Sequence, residues 1–251
     1  MRQSISKLLR PEYTSKVIGG VFLSLSAYLF FFTSYTNAAI GALFIGIFTL
    51  LIIHVPTVEE DTAIAELKSG VLSIHHLLED MDVSQFGLLV PPQKGLTESR
   101  VYIPAGDLEG VPDLYDEMSI VSGGRGRTGV SLIPPGKPLL DEAKDKMEYD
   151  IEDQDIEAGR ECMGYLSQGM GLAKSFSFRK EKGKVKIRIT LGRYDKYCEE
   201  LREEAEKLCS RTGCPICSAF LTSASESLSE NLKVVEFEKE GKHIKYTLEA
   251  V

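Results

Sequence analysis

The chain has 251 residues, with 29 Lys and Arg against 37 Asp and Glu, a formal net charge of −8. That acidic balance argues against nucleic acid as the default partner. Five cysteines, an odd count, do not make a full disulfide framework, and among four histidines no set of nucleophile, base and orienting group can be assembled, which argues against an enzyme.

From Val17 to Val58 the chain runs 42 residues without Asp, Glu, Lys or Arg. As one helix this stretch would extend about 63 Å, roughly twice the ~30 Å hydrocarbon core of a bilayer. It is therefore expected to cross a membrane twice, over residues 17–33 and 38–55, with Ser34-Tyr35-Thr36-Asn37 supplying the turn. Arg2, Lys7, Arg10 and Lys16 precede it with only Glu12 opposing. Basic flanks resist translocation, so the N-terminus and the returning C-terminal part are both expected on the cytoplasmic side of a cell membrane. A cleaved signal peptide ending near residue 38 would leave the large domain on the same side. Ala38, Ala42 and Gly46 recur every four residues, a small-residue stripe suited to close helix packing, against the first helix or against another copy.

The anchor, residues 1–56, holds four of the basic residues and one of the acidic ones, so residues 57–251 carry 25 basic against 36 acidic side chains. This second part is expected to be one α+β domain, with a subdivision near residue 150 as the alternative. Residues 57–68 and 71–80 read as two helices separated by Gly70. His75-His76 is an adjacent pair whose rings diverge by about 100° on a helix, and no nearby set of ligands completes a metal site. Residues 86–135 change to short apolar runs punctuated by Gly and Pro, with strands expected at 86–90, 100–103, 118–121 and 130–133.

Between the last two strands lies Gly123-Gly124-Arg125-Gly126-Arg127-Thr128-Gly129. Its glycine spacing matches a dinucleotide fingerprint, but Gly129 leads into a strand where that motif needs a helix. A hairpin loop is the plainer reading, with Arg125 and Arg127 as candidates for binding an anion. Residues 141–161 follow as an acidic helical stretch with a solvated face.

The next expected element is a hairpin, Leu172–Lys180 and Lys184–Leu191, turning at Lys182-Gly183. One face is apolar through Phe176, Phe178, Val185, Ile187 and Ile189. The other is basic through Lys174, Arg179, Lys180, Lys182, Lys184, Lys186 and Arg188. Such a ribbon suits phosphate, which places Lys182, Lys184 and Lys186 with the two arginines as the anion-binding candidates. It lacks an aromatic residue for stacking bases, so a solvated ribbon, set against the acidic helix, is the alternative.

A helix is expected over Tyr194–Cys209, and another after Gly213 with Cys214 at its cap and Pro215 at the first position. A final hairpin, 233–239 with 243–249, closes the chain. Cys214-Pro-Ile-Cys217 leaves three readings open. Zinc meets an obstacle: Cys198 and Cys209, eleven residues apart on one helix, would stand about 16 Å apart, too far for one tetrahedral ion. A redox or switch role would use Cys214, its thiolate favoured by the helix N-terminus, with Cys217 or Cys209 as partner. The third reading is core packing, with cysteines as small apolar residues.

Val101-Tyr102-Ile103-Pro104, Leu132-Ile133-Pro134-Pro135-Gly136 and Gly213 to Ala219 together resemble a family of uncharacterised archaeal two-pass membrane proteins with a late Gly-Cys-Pro-x-Cys-Ser-Ala segment. The resemblance implies the architecture and no activity. The function expected is a membrane-tethered cytoplasmic interaction or scaffold domain that is not an enzyme, with a thiol-dependent module as the alternative. No cofactor and no metal are expected. The expected partners are a lipid bilayer through residues 17–55 and another protein or a second copy.

Overall fold

A computed structural model describes residues 11–53, 60–83, 86–107, 110–122, 128–147 and 155–251. The chain divides into two compact units, Met1–Thr62 and Ala63–Val251.

In the first unit two helices, α1 (Pro11–Phe32) and α2 (Thr36–Ile53), form an antiparallel hairpin. The turn after Phe32 lies close to the expected break at residues 34–37 and divides the charge-free stretch into two helices as expected, but the membrane expectation is overturned: among the described residues no helix is long and apolar enough to cross a membrane. The uncharged part of α1, Val17–Phe32, extends about 24 Å, and α2 about 27 Å with polar Thr36 and Asn37 in its first turn. Both fall short of the ~30 Å hydrocarbon core. The transmembrane hairpin in the expected fold class, the integral-membrane character and the multi-pass topology with both ends cytoplasmic are corrected accordingly.

Small residues bring the two helices together. Gly19 lies against Leu50, and Gly46 against Leu23. Ser26 Oγ donates to the Ala39 carbonyl at 2.7 Å. The buried stripe on α2 is Ala39, Ala42 and Gly46, whereas Ala38 of the expected stripe is exposed.

The second unit is α+β, as expected. It is built on an eight-stranded antiparallel sheet of order β3-β4-β2-β1-β7-β8-β6-β5. The strands are β1 (Leu88–Val90), β2 (Arg100–Pro104), β3 (Ile120–Val121), β4 (Gly129–Leu132), β5 (Ala173–Glu181), β6 (Lys184–Leu191), β7 (Leu232–Glu240) and β8 (His243–Ala250). The helices are α3 (Glu60–Asp80), α4 (Lys137–Met147), α5 (Ile156–Gly164, running into a π-turn over Tyr165–Gly169), α6 (Asp195–Glu204), α7 (Leu208–Arg211) and α8 (Pro215–Leu228).

Three elements differ from the sequence expectation. Residues 60–80 form one helix through Gly70, because Gly70 is exposed and nothing crowds it; the cost of glycine is about 1 kcal/mol, which a long helix absorbs. The expected Tyr194–Cys209 helix breaks after Glu204, where Ala205 leaves helical geometry (φ −143°, ψ 62°). The two late hairpins are joined edge to edge through β6 and β8, a pairing absent from the sequence expectation.

The largest core lies on one face of the sheet. Phe178, Val185, Ile187, Ile189, Leu191, Leu232, Val234, Ile244, Tyr246 and Leu248 meet residues of α4, α5, α6 and α8 there. Helix α8 is the pillar of this layer, with every residue from Pro215 to Ser227 buried. Its neighbours approach closely: a Cβ on Gly136 would stand 2.1 Å from the Ala219 nitrogen and 2.4 Å from the Pro215 carbonyl.

The strand pairs β1–β4 are covered on both faces. Val101, Ile103 and Val130 pack with Leu78 of α3 on one side. Leu88, Val90 and Tyr102 pack with Leu96 and Leu114 of the intervening loops on the other. Among the described residues, the outer face of β5, β6, β8 and β7 carries no such layer, and its strands alternate buried apolar with exposed polar residues.

Candidate interaction surface

The uncovered half-sheet follows from a period of two. In β6 the inward residues Val185, Ile187 and Ile189 are buried, so Lys184, Lys186, Arg188 and Thr190 project the other way. The β5–β6 hairpin turns on Lys182-Gly183, both at positive φ (52° and 77°), the two-residue geometry that holds strand register. That register sets Ser175 opposite Thr190, Ser177 opposite Arg188 and Arg179 opposite Lys186. On the other side of β6, Lys186 faces Thr247, Arg188 faces Lys245 and Thr190 faces His243. Strand β7 adds Glu236, Glu238 and Glu240 beside Thr247, Lys245 and His243.

Most of these side chains, though not Lys184, Glu236 or Glu238, line an open groove of about 800 Å³ together with Phe176, Glu181, Ile187 and Tyr246. Its electrostatics divide into two bands. Glu238 and Glu240 hold Lys245 at 3.1 and 3.3 Å, and their contact raises the Lys245 pKa. Lys186 lies 3.4 Å from Glu181, and Lys184 lies 2.7 Å from Glu249, a contact that raises its pKa. Thr190 Oγ1 and His243 Nδ1 share a hydrogen bond of 3.2 Å. Among the described residues, Arg179 and Arg188 have neither an ion-pair nor a hydrogen-bond partner. They stand in a block with two like-charge cross-strand pairs, Arg179 with Lys186 and Arg188 with Lys245.

Of the anion-binding candidates, Lys184 and Lys186 lie on this face, and both are already matched by carboxylates. Lys182 sits exposed at the turn, outside the groove, and Arg125 and Arg127 lie outside the described residues. The arginines that do remain unmatched, Arg179 and Arg188, were visible in the sequence only as members of a basic ribbon. Lys245, His243 and Thr247 come from a strand more than fifty residues later, and the β6–β8 pairing that brings them in leaves no local signature.

The cysteines form a second constellation. The break after Glu204 removes the obstacle that kept Cys198 and Cys209 apart, and the thiols of Cys198, Cys209 and Cys214 now neighbour one another, with Cys217 beside Cys214. All four are at most 2% exposed, and all five cysteines are free thiols. Among the described residues, no group of three or more His, Cys, Asp and Glu is arranged to hold a metal ion. Cys214 does cap α8 with Pro215 following. Its pKa is nevertheless pushed up, by the neighbouring thiols of Cys198 and Cys217 and by burial, opposite to the direction a helix N-terminus alone imposes. Cys198 is drawn down by contacts from Cys209 and Cys214.

A third feature is buried in the centre of the fold. Glu226 of α8 is fully buried, 2.7 Å from Lys144 Nζ, and accepts a 2.5 Å hydrogen bond from Ser99 Oγ. It ties α4, α8 and the start of β2 together. Among the described residues, the hydroxyls of Ser218 and Thr222 on the same helix are buried without a partner.

A family model described as a domain of unknown function, DUF7982, matches residues 15–199. The match includes the Val101–Pro104 and Leu132–Gly136 segments and stops before Gly213–Ala219. No curated protein and no solved structure matches the chain.

Proposed function

The chain belongs to the DUF7982 family, whose function is unknown, and we propose that it is a non-enzymatic interaction module that docks a protein partner on the uncovered face of β5, β6 and β8. One observation carries this reading. The β1–β4 half of the sheet is covered on both faces, while the other half presents an open groove with two unmatched arginines at its floor. Like charges set directly across a sheet destabilise it, and two such pairs side by side are a cost that a bound counter-charge would offset. The alternative of a thiol-dependent module needs an accessible thiolate, and the burial of Cys214 and Cys217 weighs against it.

Photo-crosslinking in cells that produce the full chain tests the reading. A benzophenone side chain replacing Ser177, in the groove, should give a discrete protein adduct that disappears when Arg179→Glu and Arg188→Glu are added. The same group replacing exposed Glu206 should give none. Equal adducts at the two positions, or no adduct at Ser177, would overturn the proposal.

A further inference from the structure

We infer that the occupant of the groove is an extended acidic segment of a protein, with carboxylates on alternate residues anchored by Arg188 and Arg179. This rests on the docking face proposed above and adds the chemistry of what it recognises.

The spacing of the floor carries the argument. Arg188 and Lys186 are two residues apart on β6, so their rows lie about 6.8 Å apart along the strand. Arg179 joins the Lys186 row and Lys245 joins the Arg188 row. An extended chain laid along the strands repeats its own same-side residues at that interval. Acidic residues at i and i+2 therefore meet the two cationic rows in step. Guanidinium groups present a planar fork that pairs bidentately with carboxylate, and the two arginines are the cations of the block not already engaged.

The walls limit the length of the acidic stretch. Glu238 and Glu240 stand on the β7 side, and Glu181 and Glu249 close the row beyond Lys186. A long polyanion would run onto these carboxylates, whereas two or three alternating acids would not. Phe176, Ile187 and Tyr246 also reach the groove, but they belong to the inward-facing set packed in the core; the outward residues of β5, β6 and β8 on its floor are Ser, Thr, Arg, Lys, Glu and His, so no outward ring offers a stacking platform for bases. Serine and threonine at Ser175, Ser177, Thr190 and Thr247 supply hydroxyls for the backbone of the bound segment.

The test is a titration of the full chain with a fluorescein-labelled decapeptide of alternating Glu and Thr, followed by anisotropy. The Arg179→Gln/Arg188→Gln variant should bind it at least ~10-fold more weakly, from the loss of charged hydrogen bonds, and added salt should weaken the wild type. Lys182→Gln, outside the groove, should bind unchanged. The double variant should melt no lower than the wild type, because it removes two like-charge pairs. A peptide with Gln in place of Glu should not bind. Equal binding by wild type and double variant would overturn the inference, as would an oligothymidylate decamer that binds as tightly and is lost in the same variant. Failure of the peptide with the Ser177 adduct intact would reject the acidic occupant and leave the docking face; loss of both would reject the face itself.

Discussion

Helices α2 and α8 are close in length and opposite in plan. Helix α2 is apolar almost throughout, yet Phe44 and Phe48 are 62% and 64% exposed, and its buried residues are small ones that admit the neighbouring backbone. Helix α8 carries five serines and threonines and a glutamate among its fourteen residues, and all six are buried. Apolar composition therefore does not by itself determine what is inside. Closure of two helices needs a narrow seam, whereas a pillar surrounded by sheet and helices is enclosed whatever its side chains. The contrast also assigns different tolerances: α2 is constrained by volume along one stripe, and α8 by volume and polarity around its whole girth.

The strongest way to break the contrast is Glu226→Ala. It removes the fully buried carboxylate that meets Lys144 Nζ at 2.7 Å and accepts from Ser99, and removing one member of a buried pair costs about 3–5 kcal/mol; urea unfolding of the full chain should show that loss, and Glu226→Gln a smaller one because the Ser99 hydrogen bond survives. Gly136→Ala drives a methyl into the α8 backbone and should cost about 1–3 kcal/mol in the same assay. On the hairpin, Gly46→Ala meets Leu23 Cδ2 and Cγ at 3.0 Å and the Leu23 backbone nitrogen at 3.2 Å, a milder clash than that at Gly136. About 1 kcal/mol is expected, seen as faster hydrogen exchange in α2.

Thr222→Val removes a buried hydroxyl that has no partner and keeps the shape. Stability should be unchanged or higher by about 1 kcal/mol, the reverse of the usual sign for a core substitution. The smallest effect is pH-dependent. Arg211, 2% exposed, holds Glu79 at 2.7 Å, and that hydrogen bond draws the Glu79 pKa below its ordinary 4.5. A depressed carboxylate contributes stability above its unfolded pKa and loses it as pH falls through the folded one. Glu79→Gln should therefore unfold at lower urea than wild type near neutrality, and the two midpoints should converge below about pH 4.

Much of the domain was legible residue by residue. The alternation of Phe176, Phe178, Val185, Ile187 and Ile189 placed both arms of the β5–β6 hairpin, and Lys182-Gly183 located its turn. Cys214-Pro215 marked the start of α8, where proline needs no N–H partner. The acidic first turn and apolar spacing over 60–80 announced a helix, though Gly70 was read as its end. The break between α6 and α7 has no signature in the pattern, because Tyr197, Cys198, Leu201, Ala205, Leu208 and Cys209 keep a helical stripe that a kinked segment also satisfies. The metal argument built on that unbroken helix failed for the same reason. The groove was half legible: its basic ribbon could be seen, but which of its cations would find carboxylates could not.

Local pattern determined the strands, the turns and which face of each ribbon is apolar, because side-chain direction alternates with a period the chain itself carries. Only the tertiary structure decided that a serine-rich helix becomes the core and that Arg179 and Arg188 are left unmatched. Those outcomes depend on pairings between residues tens of positions apart, such as β6 with β8 and Lys144 with Glu226, whose energies arise only when distant segments are brought into contact.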